Sequence, residues 1–572
     1  MTRRVWTAWL LLVLLPAAIA GAQPTALVGA TVLNPADDTV VEDATVVIEG
    51  TRIAAVGPAD EVEVPPDATV RDLSGRYVMP GLVDGHVHFF QSGGLYTRPD
   101  ALDLRAARPY AEELRRIKAR LPDTFRRYLR SGVTSVVDVG GPMWNLDVRA
   151  RADTTAMAPT VVTAGPLISS VSRPSLDEGD PPILQITTPA AARQEVREQI
   201  AAGVDLVKIW YIVEDTPADY RPVVEAVVDE AHAADTRVAV HATELETARA
   251  AVEAGADVLV HSVFDRPVDD AFVRLLREND VLYTPTLMVR ERYRQVFAQQ
   301  IDLTLPEHRI GQKEVLGSLT DPAVLPDSLV PVSIRQRMAR APSVSSDTTA
   351  MRNLERLHAA GIPIAAGTDA GNIGTPHGPA LFRELELMRE AGLTPREVLA
   401  TATAGGARLM GRDDLGQLEA GMQADLLVLD ENPLTDLTHT RSIHRVVKAG
   451  RVFAPDALVP RTPTEVVLQG RNAFSMHDAE AFLDVFAEDV RVYDHPSTLQ
   501  TAGRDTLAAQ FRPMLGPASA LHAQFRYHTA IGTTVVAHEV LRGLPTRERP
   551  LSQAVLYRVT DEHIDRVWVV QK

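Results

Sequence analysis

The sequence predicts an α/β protein built around a closed (β/α)₈ barrel, in which eight parallel strands alternate with helices. Eight short, nearly continuous apolar segments recur along the middle of the chain, and helical patterns such as "PVVEAVVDEAHAA" and "ELETARAAVEAG" separate several of them. This alternation is typical of parallel sheets that are covered on both faces. Eight strands close such a barrel, and no glycine-rich phosphate fingerprint follows the first strand. An open doubly wound sheet is the alternative.

The expected strands are short and end in polar residues. They are residues 81–88, 133–140, 160–168, 205–210, 237–243, 257–263, 281–287 and 362–371. In barrels of this class the carboxyl ends of the strands carry the active site. The polar residues collect at those ends: His86, His88, Asp138, Lys208, His241, His261 and Asp369. Independent accident would scatter such groups along the strands, so we interpret the cluster as a site.

The regions on either side of the barrel have different patterns. Residues 26–78 contain short runs of near-alternating apolar residues punctuated by Gly, Asp and Pro, which predicts a small antiparallel sheet or sandwich. The same pattern returns in "GMQADLLVLDENPL" and "IHRVVKAGRVFAP". Residues 454–465 contain three prolines and no periodicity, which is typical of a linker. Beyond them we expect a helix, a turn, a second short helix, and then strands and hairpins.

Length, charge and cysteine content narrow the possible functions. The 572 residues are too many for one ordinary core and predict roughly two to four domains. The net charge of −17 argues against nucleic-acid binding, because neutralising phosphates requires clusters of Lys and Arg. The chain has no cysteine, which excludes disulfides, thiolate nucleophiles and Cys-ligated zinc. Any metal must therefore be held by His, carboxylates or a modified side chain.

The first 22 residues are typical of a signal peptide. Arg3 and Arg4 form a basic start, an apolar stretch broken by Pro16 follows, and "AGA" supplies small residues before Gln23. The apolar run is short for a membrane span, which needs about 20 residues. We therefore expect cleavage, export to the periplasm or beyond, and no stable membrane span afterwards. An uncleaved anchor is the alternative.

The segment "VMPGLVDGHVHFF" (78–90) raises the question of a metal. Side chains alternate on a strand, so His86 and His88 point the same way, although they could be incidental residues of an ordinary strand. With His241, His261 and Asp369 they make five N/O donors, more than one tetrahedral zinc requires. Burial and nearby cations would lower the pKa of Lys208 and leave a neutral amine, which can react with carbon dioxide to form a metal-bridging carbamate.

The chain resembles the amidohydrolase superfamily, especially its imidazolonepropionase-like and Xaa-Pro dipeptidase-like members, over residues 26–455. The matching stretches are "MPGLVDGHVH", "GVTSVVDVGG", "DLVKIW", "VHATELETARAAVEAGADVLVHS", "GTDAG" and "LTPREVLATATAGGARLMGRDDLGQLEAGMQADLLVLDENPL". The resemblance implies a metal-dependent barrel over residues 81–411. It also implies that residues 23–80 and 412–456 form one composite β-sandwich beside the barrel.

The resemblance further implies two divalent metal ions, expected to be zinc, held by six side chains. They are His86, His88, Lys208, His241, His261 and Asp369. His86, His88 and Asp369 would hold the more buried ion, and His241 and His261 would hold the second ion. Lys208, carboxylated on N6, would bridge the ions together with a hydroxide that attacks the substrate. Asp369 would act as the general base and pass the proton to the leaving nitrogen. A mononuclear site, in which Lys208 stays an ammonium, is the alternative.

Four further residues have weaker predicted roles. Tyr211 follows strand 4 and is a candidate hydrogen-bond donor to the oxyanion, or a packing residue. His377 follows strand 8 and is a candidate substrate contact, or an ordinary loop histidine. Asp138 is expected to be a structural carboxylate, and His232 a surface histidine.

These features predict a hydrolase that cleaves an amide or peptide C–N bond in a small substrate such as a dipeptide, an N-acyl amino acid or a cyclic amide. The long region between strands 7 and 8 is a candidate lid or specificity element. Its Arg290, Arg292 and Arg294 would bind a substrate carboxylate or lie on a solvated helix face. The alternatives are a mononuclear deaminase or lactonase on the same barrel, and a ligand-binding protein without catalysis.

Residues 457–572 resemble the SnoaL-type, nuclear-transport-factor-2-like fold. The stretches that carry this are "NAFSMHDAEAFLDVFAEDVRVYDHPS", "AGRDTLAAQFRPML" and "LYRVTDEHIDRVWVV". The resemblance implies an α+β cone of helices on a curved sheet and allows for a homo-oligomer. An apolar pocket in the cone would be lined by Asp494, His495, His528 and His538. A stability or dimerisation module without a ligand is the alternative.

Overall fold

The computed structural model describes residues 23–212, 220–340, 348–516, 519–545 and 547–570. The predicted signal peptide, residues 1–22, lies outside them. Among the described helices, none combines the length and apolar character needed to span a bilayer.

The N-terminal region consists of strands, as its alternating pattern predicts. They are β1 (Thr25–Asn34), β2 (Thr39–Glu49), β3 (Arg52–Pro58), β4 (Thr69–Asp72) and β5 (Tyr77–Pro80). Strand β1 pairs antiparallel with β2 and parallel with β4 and β5. One face of these strands is apolar and buried, as in Leu27, Val46 and Ile48.

The middle of the chain supplies short parallel strands. They are β6 (Leu82–Val87), β7 (Val133–Asp138), β8 (Thr160–Thr163), β9 (Leu167–Ser169), β10 (Ile183–Gln185), β11 (Leu206–Trp210), β12 (Arg237–His241), β13 (Val258–Val260) and β14 (Leu282–Thr284). They form two sheets, in the orders β6-β7-β8 and β10-β9-β11-β12-β13-β14. A parallel bridge between Ala164 and Leu206 connects the two. The expected strand over 160–168 is thus two strands.

The eighth predicted strand, residues 362–371, is not a continuous strand. It makes two isolated parallel bridges, from Ile364 to Tyr283 on β14 and from Ala370 to Val87 on β6. Ahead of its end the Ala366 N–H donates to the Thr401 carbonyl instead of to a strand, and the end is a turn with positive φ angles of 60° at Asp369 and 103° at Gly371, which does not continue a pleated ladder. The segment nevertheless lies between the first and the seventh of the predicted strands.

Helices connect these strands and cover them. They are α1 (Tyr110–Arg130), α2 (Asn145–Asp153), α3 (Pro189–Ala202), α4 (Arg221–His232), α5 (Leu245–Glu253), α6 (Asp270–Glu278), α7 (Leu287–Ala298), α8 (Leu305–Ile310), α9 (Lys313–Ser318), α10 (Val332–Ala339), α11 (Thr348–Ala359), α12 (Ala380–Glu390), α13 (Pro395–Ala400) and α14 (Gly406–Met410). A π-helical turn, Thr401–Gly405, joins the last two.

Alternate residues of the parallel strands face two different apolar layers. Val136 and Val240 pack against the helices, whereas their neighbours Val137 and Ala239 belong to a second cluster on the opposite face of the strands. This two-residue period follows from strand geometry. Because both faces are apolar, the strands appear in the sequence as continuous hydrophobic runs.

After α14 the chain returns to the N-terminal strands through β15 (Leu426–Leu429), β16 (Ile443–Lys448) and β17 (Arg451–Phe453). These complete one eight-stranded sheet in the order β17-β16-β15-β5-β1-β2-β3, with β4 attached to β1. Strands from the two ends of the barrel region thus share one sheet, with β15 antiparallel to β5. The domain boundaries given above remain a prediction.

The C-terminal region is a six-stranded sheet with helices. Its elements are α15 (Pro455–Leu458), α16 (Pro463–Ser475), α17 (Ala479–Leu483), α18 (Arg504–Phe511), β18 (Phe486–Asp494), β19 (Thr498–Ala502), β20 (His522–Ile531), β21 (Thr534–Arg542), β22 (Leu551–Thr560) and β23 (His563–Val570). The strand order is β19-β18-β23-β22-β21-β20. The expected linker is partly helical: Leu458 of α15 is fully buried in the main core.

A cavity of about 320 Å³ lies between this sheet and its helices. The prediction of its lining is wrong: the four residues proposed for it lie elsewhere. Asp494, His495 and His528 are exposed, and His538 bonds to Ser552 on the neighbouring strand. His538 lies on the face of the sheet opposite to Glu539 because side chains alternate along β21, whereas His528 is paired with Ala537 and is exposed near the end of β20.

Candidate active site

His86 and His88 come from β6 and the residue after it. Both are buried, with ring centroids 5.3 Å apart. The Nδ1 of His88 donates to the Gly140 carbonyl at 2.7 Å, which leaves its Nε2 facing Asp369 Oδ1 at 3.2 Å. Space beside His86 is tight: a Cβ at Gly367 would lie 2.8 Å from the Cβ of His86, so no side chain fits there.

Asp369 and His261 hold strained backbone conformations. Their φ angles are 60° and 75°, in the left-handed region that non-glycine residues seldom adopt. Asp369 N donates to the His86 carbonyl at 2.7 Å, which fixes the turn. The Oδ1 of Asp369 then lies 3.5 Å from His86 Nε2. Strain of this kind is retained where the surrounding structure imposes it, typically at functional sites.

His241 and His261 come from the ends of β12 and β13. Their ring centroids are 4.3 Å apart, and that of His261 lies 4.7 Å from His86. The Nδ1 of His261 is bonded to Thr286 Oγ1 at 2.7 Å, which directs its other nitrogen toward the cluster. Ligand atoms of His86, His261 and Asp369 lie within 4.8 Å of one another, close enough to share a metal ion.

Lys208 lies on β11 and is 1% exposed. Burial lowers the pKa of its amine to about 7, although the nearby Asp369 carboxylate favours the charged form. Lys208 lines the same cavity as His88, His241, His261 and Asp369, and His86 lies directly behind them. The structure therefore brings all six predicted ligands together, but it does not test their roles.

The ionisation states suit a metal centre. Burial lowers the pKa of His86 and His241 well below the usual value and that of His261 to about 3, so the imidazoles are neutral and able to bind metal. Burial opposes ionisation of Asp369, whereas positive charge at the facing His86 and His88 holds its pKa well below the usual value, and a bound cation would supply that charge where the imidazoles are neutral.

Several candidate metal-binding atoms have no hydrogen-bond partner among the described residues, which also fits a metal site. Within the described part of the chain, both ring nitrogens of His86 and the Nζ of Lys208 are buried without a hydrogen-bond partner. Buried polar groups are usually paired, so a cluster of unpaired donors requires an explanation. Imidazole nitrogens with a carboxylate are the ligand set of catalytic zinc sites, and the residues present therefore fit such a group.

A cavity of about 320 Å³ opens onto five of the six residues, and the sixth, His86, lies behind them in contact with Asp369 and His261. Aromatic side chains, Phe90, Trp210 and Phe264, form much of its wall. Arg290 lies over the Phe264 ring at 3.5 Å and also lines the cavity. A few polar groups in an apolar cleft are typical of a small-molecule site.

Sequence reasoning did not find Arg98, Asn372 and Tyr293, which also line this cavity. Arg98 Nη1 and Tyr293 Oη both donate to Asn372 Oδ1 at 2.7 Å. Asp100 holds the guanidinium of Arg98 at 2.6 Å. The three residues lie in the loops after β6 and Asp369 and on α7. No periodic signal marks loop residues such as Arg98 and Asn372, and nothing in the pattern of α7 distinguishes Tyr293, so the sequence offered no means of identifying them.

The structure places Tyr211 and His377 away from the substrate cavity. The Tyr211 ring packs against Tyr220 at 5.5 Å and is absent from the described lining. His377 is buried behind the site, where Nδ1 is bonded to Tyr128 Oη and Nε2 to the Gln91 carbonyl. Both ring nitrogens are engaged in these bonds, and the substrate contact of His377 stays a prediction. Their placement supports the packing alternatives.

The remaining predicted residues are structural. Asp138 is fully buried and accepts from Asn145 Nδ2 at 2.7 Å. His232 is at the surface, 3.0 Å from Asp257. Arg292 neither lines the cavity nor faces solvent: it forms a buried ion pair with Glu307 at 2.6 Å.

Comparison with known proteins places this geometry in a family. The sequence model of the amidohydrolase family matches residues 77–453, and that of the SnoaL-like domain matches residues 467–567. The ochratoxinase of Aspergillus niger is 25% identical over 482 residues, which cover 76% of this chain and 88% of that protein. The imidazolonepropionase of Streptomyces griseus subsp. griseus is 26% identical over 406 residues, which cover 68% of this chain and 86% of that protein.

Solved structures share the fold. A Xaa-Pro dipeptidase with bound methionine superimposes with a TM-score of 0.57 at 22% identity, covering 76% of this chain and all of that one. The structure of the A. niger ochratoxinase superimposes with a TM-score of 0.57 at 21% identity, and the match covers 76% of this chain and 96% of that one. The chain therefore belongs to the amidohydrolase family and is a hydrolase of carbon–nitrogen bonds.

Proposed function

We propose that this protein hydrolyses the amide or peptide bond of a small substrate that carries a carboxylate, such as a dipeptide or an N-acyl amino acid. One observation carries the proposal. Six side chains that are far apart in the sequence gather beside one cavity, and buried atoms of His86, Lys208 and Asp369 have no hydrogen-bond partner among the described residues. The six are His86, His88, Lys208, His241, His261 and Asp369. A purely structural cluster would have its buried polar atoms paired.

Two divalent metal ions, with zinc as the expected element, fit this donor set. His86, His88 and Asp369 would hold one ion, and His241 and His261 the other. Lys208, carboxylated on N6, would bridge them. Its unpaired Nζ and its burial support a modified side chain, because a buried ammonium beside cations is strongly disfavoured. When bound, the ions supply a Lewis acid and lower the pKa of water.

The protein's own residues position and move the proton. Asp369 is ionised and lies at the centre of the cluster, where its carboxylate accepts the proton of the attacking water and delivers it to the leaving nitrogen. The bonds from His88 to Gly140 and from His261 to Thr286 keep each Nε2 aimed at the cluster. Trp210 and Phe264 supply apolar surface to the cavity wall.

The charge of the cavity wall indicates the substrate class. Of the described lining residues, Arg98, Lys208 and Arg290 are basic, whereas Asp369 is the sole carboxylate. Carbamate formation removes the charge of Lys208, and Arg98 is held in a two-point ion pair by Asp100, so Arg290 is the stronger candidate to attract an anionic group. The Xaa-Pro dipeptidase among the structural relatives is consistent with a peptide substrate. Cyclic amides remain within the proposed range.

We also infer that β6–β8, β11–β14 and residues 362–371 close into a barrel. The bridges Ala164–Leu206, Tyr283–Ile364 and Val87–Ala370 support this, since they connect the successive edges. The C-terminal region is proposed to be a SnoaL-type cone. The composition of residues 1–22 supports export to the periplasm or outside the cell, which a fractionation of expressing cells tests.

The decisive experiment is a hydrolysis screen. The mature full-length protein, with zinc and bicarbonate, is offered dipeptides, N-acyl amino acids, their carboxamide analogues and cyclic amides, with a chelator control. Cleavage that is abolished by the chelator and weakened about tenfold in the carboxamides is expected. Full metal loading without cleavage of any amide, ester or lactone would instead favour a ligand-binding protein. Metal content per chain, with and without bicarbonate, separates the binuclear site from a mononuclear deaminase or lactonase.

A further inference from the structure

Three polar residues of the substrate cavity form one hydrogen-bonded group, which we call the polar unit. Arg98 Nη1 and Tyr293 Oη both donate to Asn372 Oδ1 at 2.7 Å. The three come from separate segments: the loop after β6, helix α7 and the loop after Asp369. Because hydrogen bonds weaken steeply with small displacements, packing from behind must hold all three segments in place.

A buried apolar cluster lies behind the polar unit, and we call it the support cluster. Its members include Leu95, Tyr96, Val296, Leu316, Ile373 and Met476. Tyr96, Val296 and Ile373 are each within three residues of one member of the polar unit. Tyr293 itself packs against the cluster. Protein interiors are closely packed, so this cluster determines where the three polar groups lie.

Met476 is the contribution of the C-terminal region to the support cluster. It follows α16 directly, within the residues that match the SnoaL-like domain, and is 7% exposed. The other members named above lie between residues 95 and 373. Removing a buried side chain of this size leaves a cavity that its neighbours refill only in part. The C-terminal region thus supplies part of the packing behind the substrate cavity.

Helix α16 reaches this position because α9 has a glycine where the two helices meet. A Cβ at Gly317 would lie 2.8 Å from Asn472 Oδ1, so a side chain there would push α16 away. Asn472 Nδ2 donates to the Lys313 carbonyl at 2.7 Å, and His522 Nε2 bonds to Thr320 Oγ1 at 3.2 Å. Both bonds are buried, and they hold the C-terminal region against α9.

Helix α9 in turn holds the loops that carry the polar unit. Ser318 Oγ accepts a hydrogen bond from the Leu95 N–H at 3.0 Å. The Gly93 N–H donates to the Gly371 carbonyl at 2.7 Å. The loop after β6 is thus tied to α9 on one side and to the loop after Asp369 on the other.

The strands that carry the candidate metal ligands pack in a different core. Val87 on β6, Ile209 on β11 and Val240 on β12 belong to the main core under the helices. A defect in the support cluster should therefore disturb the substrate-binding wall more than the reacting centre.

We propose that the C-terminal region completes the substrate-binding wall, with Met476 as a positioning residue that acts on the polar unit through the support cluster. The kinetic consequence rests on the hydrolysis proposed above, whereas the positioning itself does not. A contact that bound substrate and transition state make equally changes KM and leaves kcat unaffected. Loss of the Met476 side chain should therefore appear in KM.

Steady-state kinetics of the full-length, metal-loaded protein test this consequence. With the best substrate of the screen, Met476→Ala should raise KM about three- to tenfold and change kcat by less than about twofold. Met476→Leu conserves the side-chain volume and should restore KM. Leu507→Ala, in the buried core of the C-terminal sheet and its helices, is the matched control and should leave KM unchanged. Equal KM values in the two alanine variants, or a loss confined to kcat, would overturn the proposal.

Hydrogen–deuterium exchange tests the positioning without any substrate. In Met476→Ala the amides of Gly93, Leu95 and Gly374, which bond within or between these segments, should exchange at least about threefold faster. Amides of β7 and β12 should be unaffected. Leu507→Ala should leave the exchange of all these amides as in the natural chain.

The two measurements separate this proposal from the proposed function. Unchanged exchange in both loops of Met476→Ala overturns the positioning role, even where hydrolysis is found. Faster exchange in a chain that cleaves no substrate supports the positioning role and overturns the hydrolysis alone. Met476→Val removes less volume and carries the same expectations if Met476→Ala does not fold.

Discussion

Single residues at the barrel mouth determine the chemistry, and Asp369 combines two constraints. Its backbone is left-handed, and its carboxylate lies within 3.5 Å of two imidazoles. A residue with this geometry at the end of the eighth segment is suited both to bind metal and to accept a proton. The strained turn is stabilised by its bond to the His86 carbonyl.

Asp369→Asn keeps the shape of the side chain but removes its charge. We expect kcat to fall by about 10²- to 10⁴-fold, because the proposed general base is lost. Steady-state kinetics on the best substrate of the screen, with metal content measured in parallel, tests this. Asp229→Asn, at an exposed position on α4, is the control and should behave as the natural chain. A fully active Asp369→Asn would assign the proton transfer to another group.

Lys208→Met should separate metal binding from stability. In the metal-free chain the substitution removes a buried amine without a partner, so the free energy of unfolding should not decrease. Metal per chain should fall by about half, since the bridging ligand is lost. Lys313→Met is the matched control: that buried amine faces Glu465 and two carbonyls, so losing it costs about 1–3 kcal/mol. Urea unfolding in the presence of chelator measures the stability of both variants, and elemental analysis of the metal-loaded chain measures metal content.

At the scale of elements, the sequence identified most barrel strands, because continuous apolar runs are a local signal. It missed the break of the eighth segment, because the left-handed turn at Asp369 depends on contacts with β6. It also merged β8 and β9, which are separated by Pro166. The π-helical turn between α13 and α14 has no sequence signature that we recognise.

The start of α7 depends on a distant carboxylate. Glu384 on α12 accepts from the backbone N–H of Leu287 at 2.8 Å and of Met288 at 2.9 Å. These donors have no partner within the helix, as at every helix start. The contact ties α12 to the helix that carries Arg290 and Tyr293 into the cavity.

The same contact predicts a pH dependence of stability. Burial raises the pKa of Glu384 from 4.5 to about 8. Because the unfolded chain ionises first, the free energy of unfolding should fall by up to about 1.4 kcal/mol per pH unit between roughly 4.5 and 8. Relative to the natural chain, Glu384→Gln should therefore gain stability as the pH rises from 5 to 8. Urea titrations at several pH values test this, and parallel pH profiles would refute it.

At the scale of the whole molecule, the C-terminal region is attached to the insertion that forms one side of the active-site cavity. His308 on α8 lies 3.1 Å from Asp478, and Lys313 on α9 lies 3.1 Å from Glu465. Arg309 also bonds to Asp484. The C-terminal region thus packs on the insertion between β14 and residues 362–371, so the two contribute to each other's stability.

Removing one charge of this contact should reveal the coupling. Glu465 also faces Arg127, so Glu465→Gln leaves two buried cations with a weaker partner. We expect a loss of about 1–3 kcal/mol, less than for a fully buried pair because Glu465 is one-quarter exposed. A cycle with Lys313→Met should show coupling of at least 0.5 kcal/mol. Additive effects would show that the two side chains do not stabilise each other.

The alternation of apolar strands with helices, the absence of cysteine, and the ligand residues at the strand ends were all readable from the sequence, because each depends on residue type and short-range spacing. Three features required the tertiary structure. Loop packing places Arg98 and Asn372 in the cavity, long-range hydrogen bonds turn His377 away from it, and strand register pairs Glu539 with Gln553. Contacts between residues that are distant in the chain set these positions, and no local pattern encodes them.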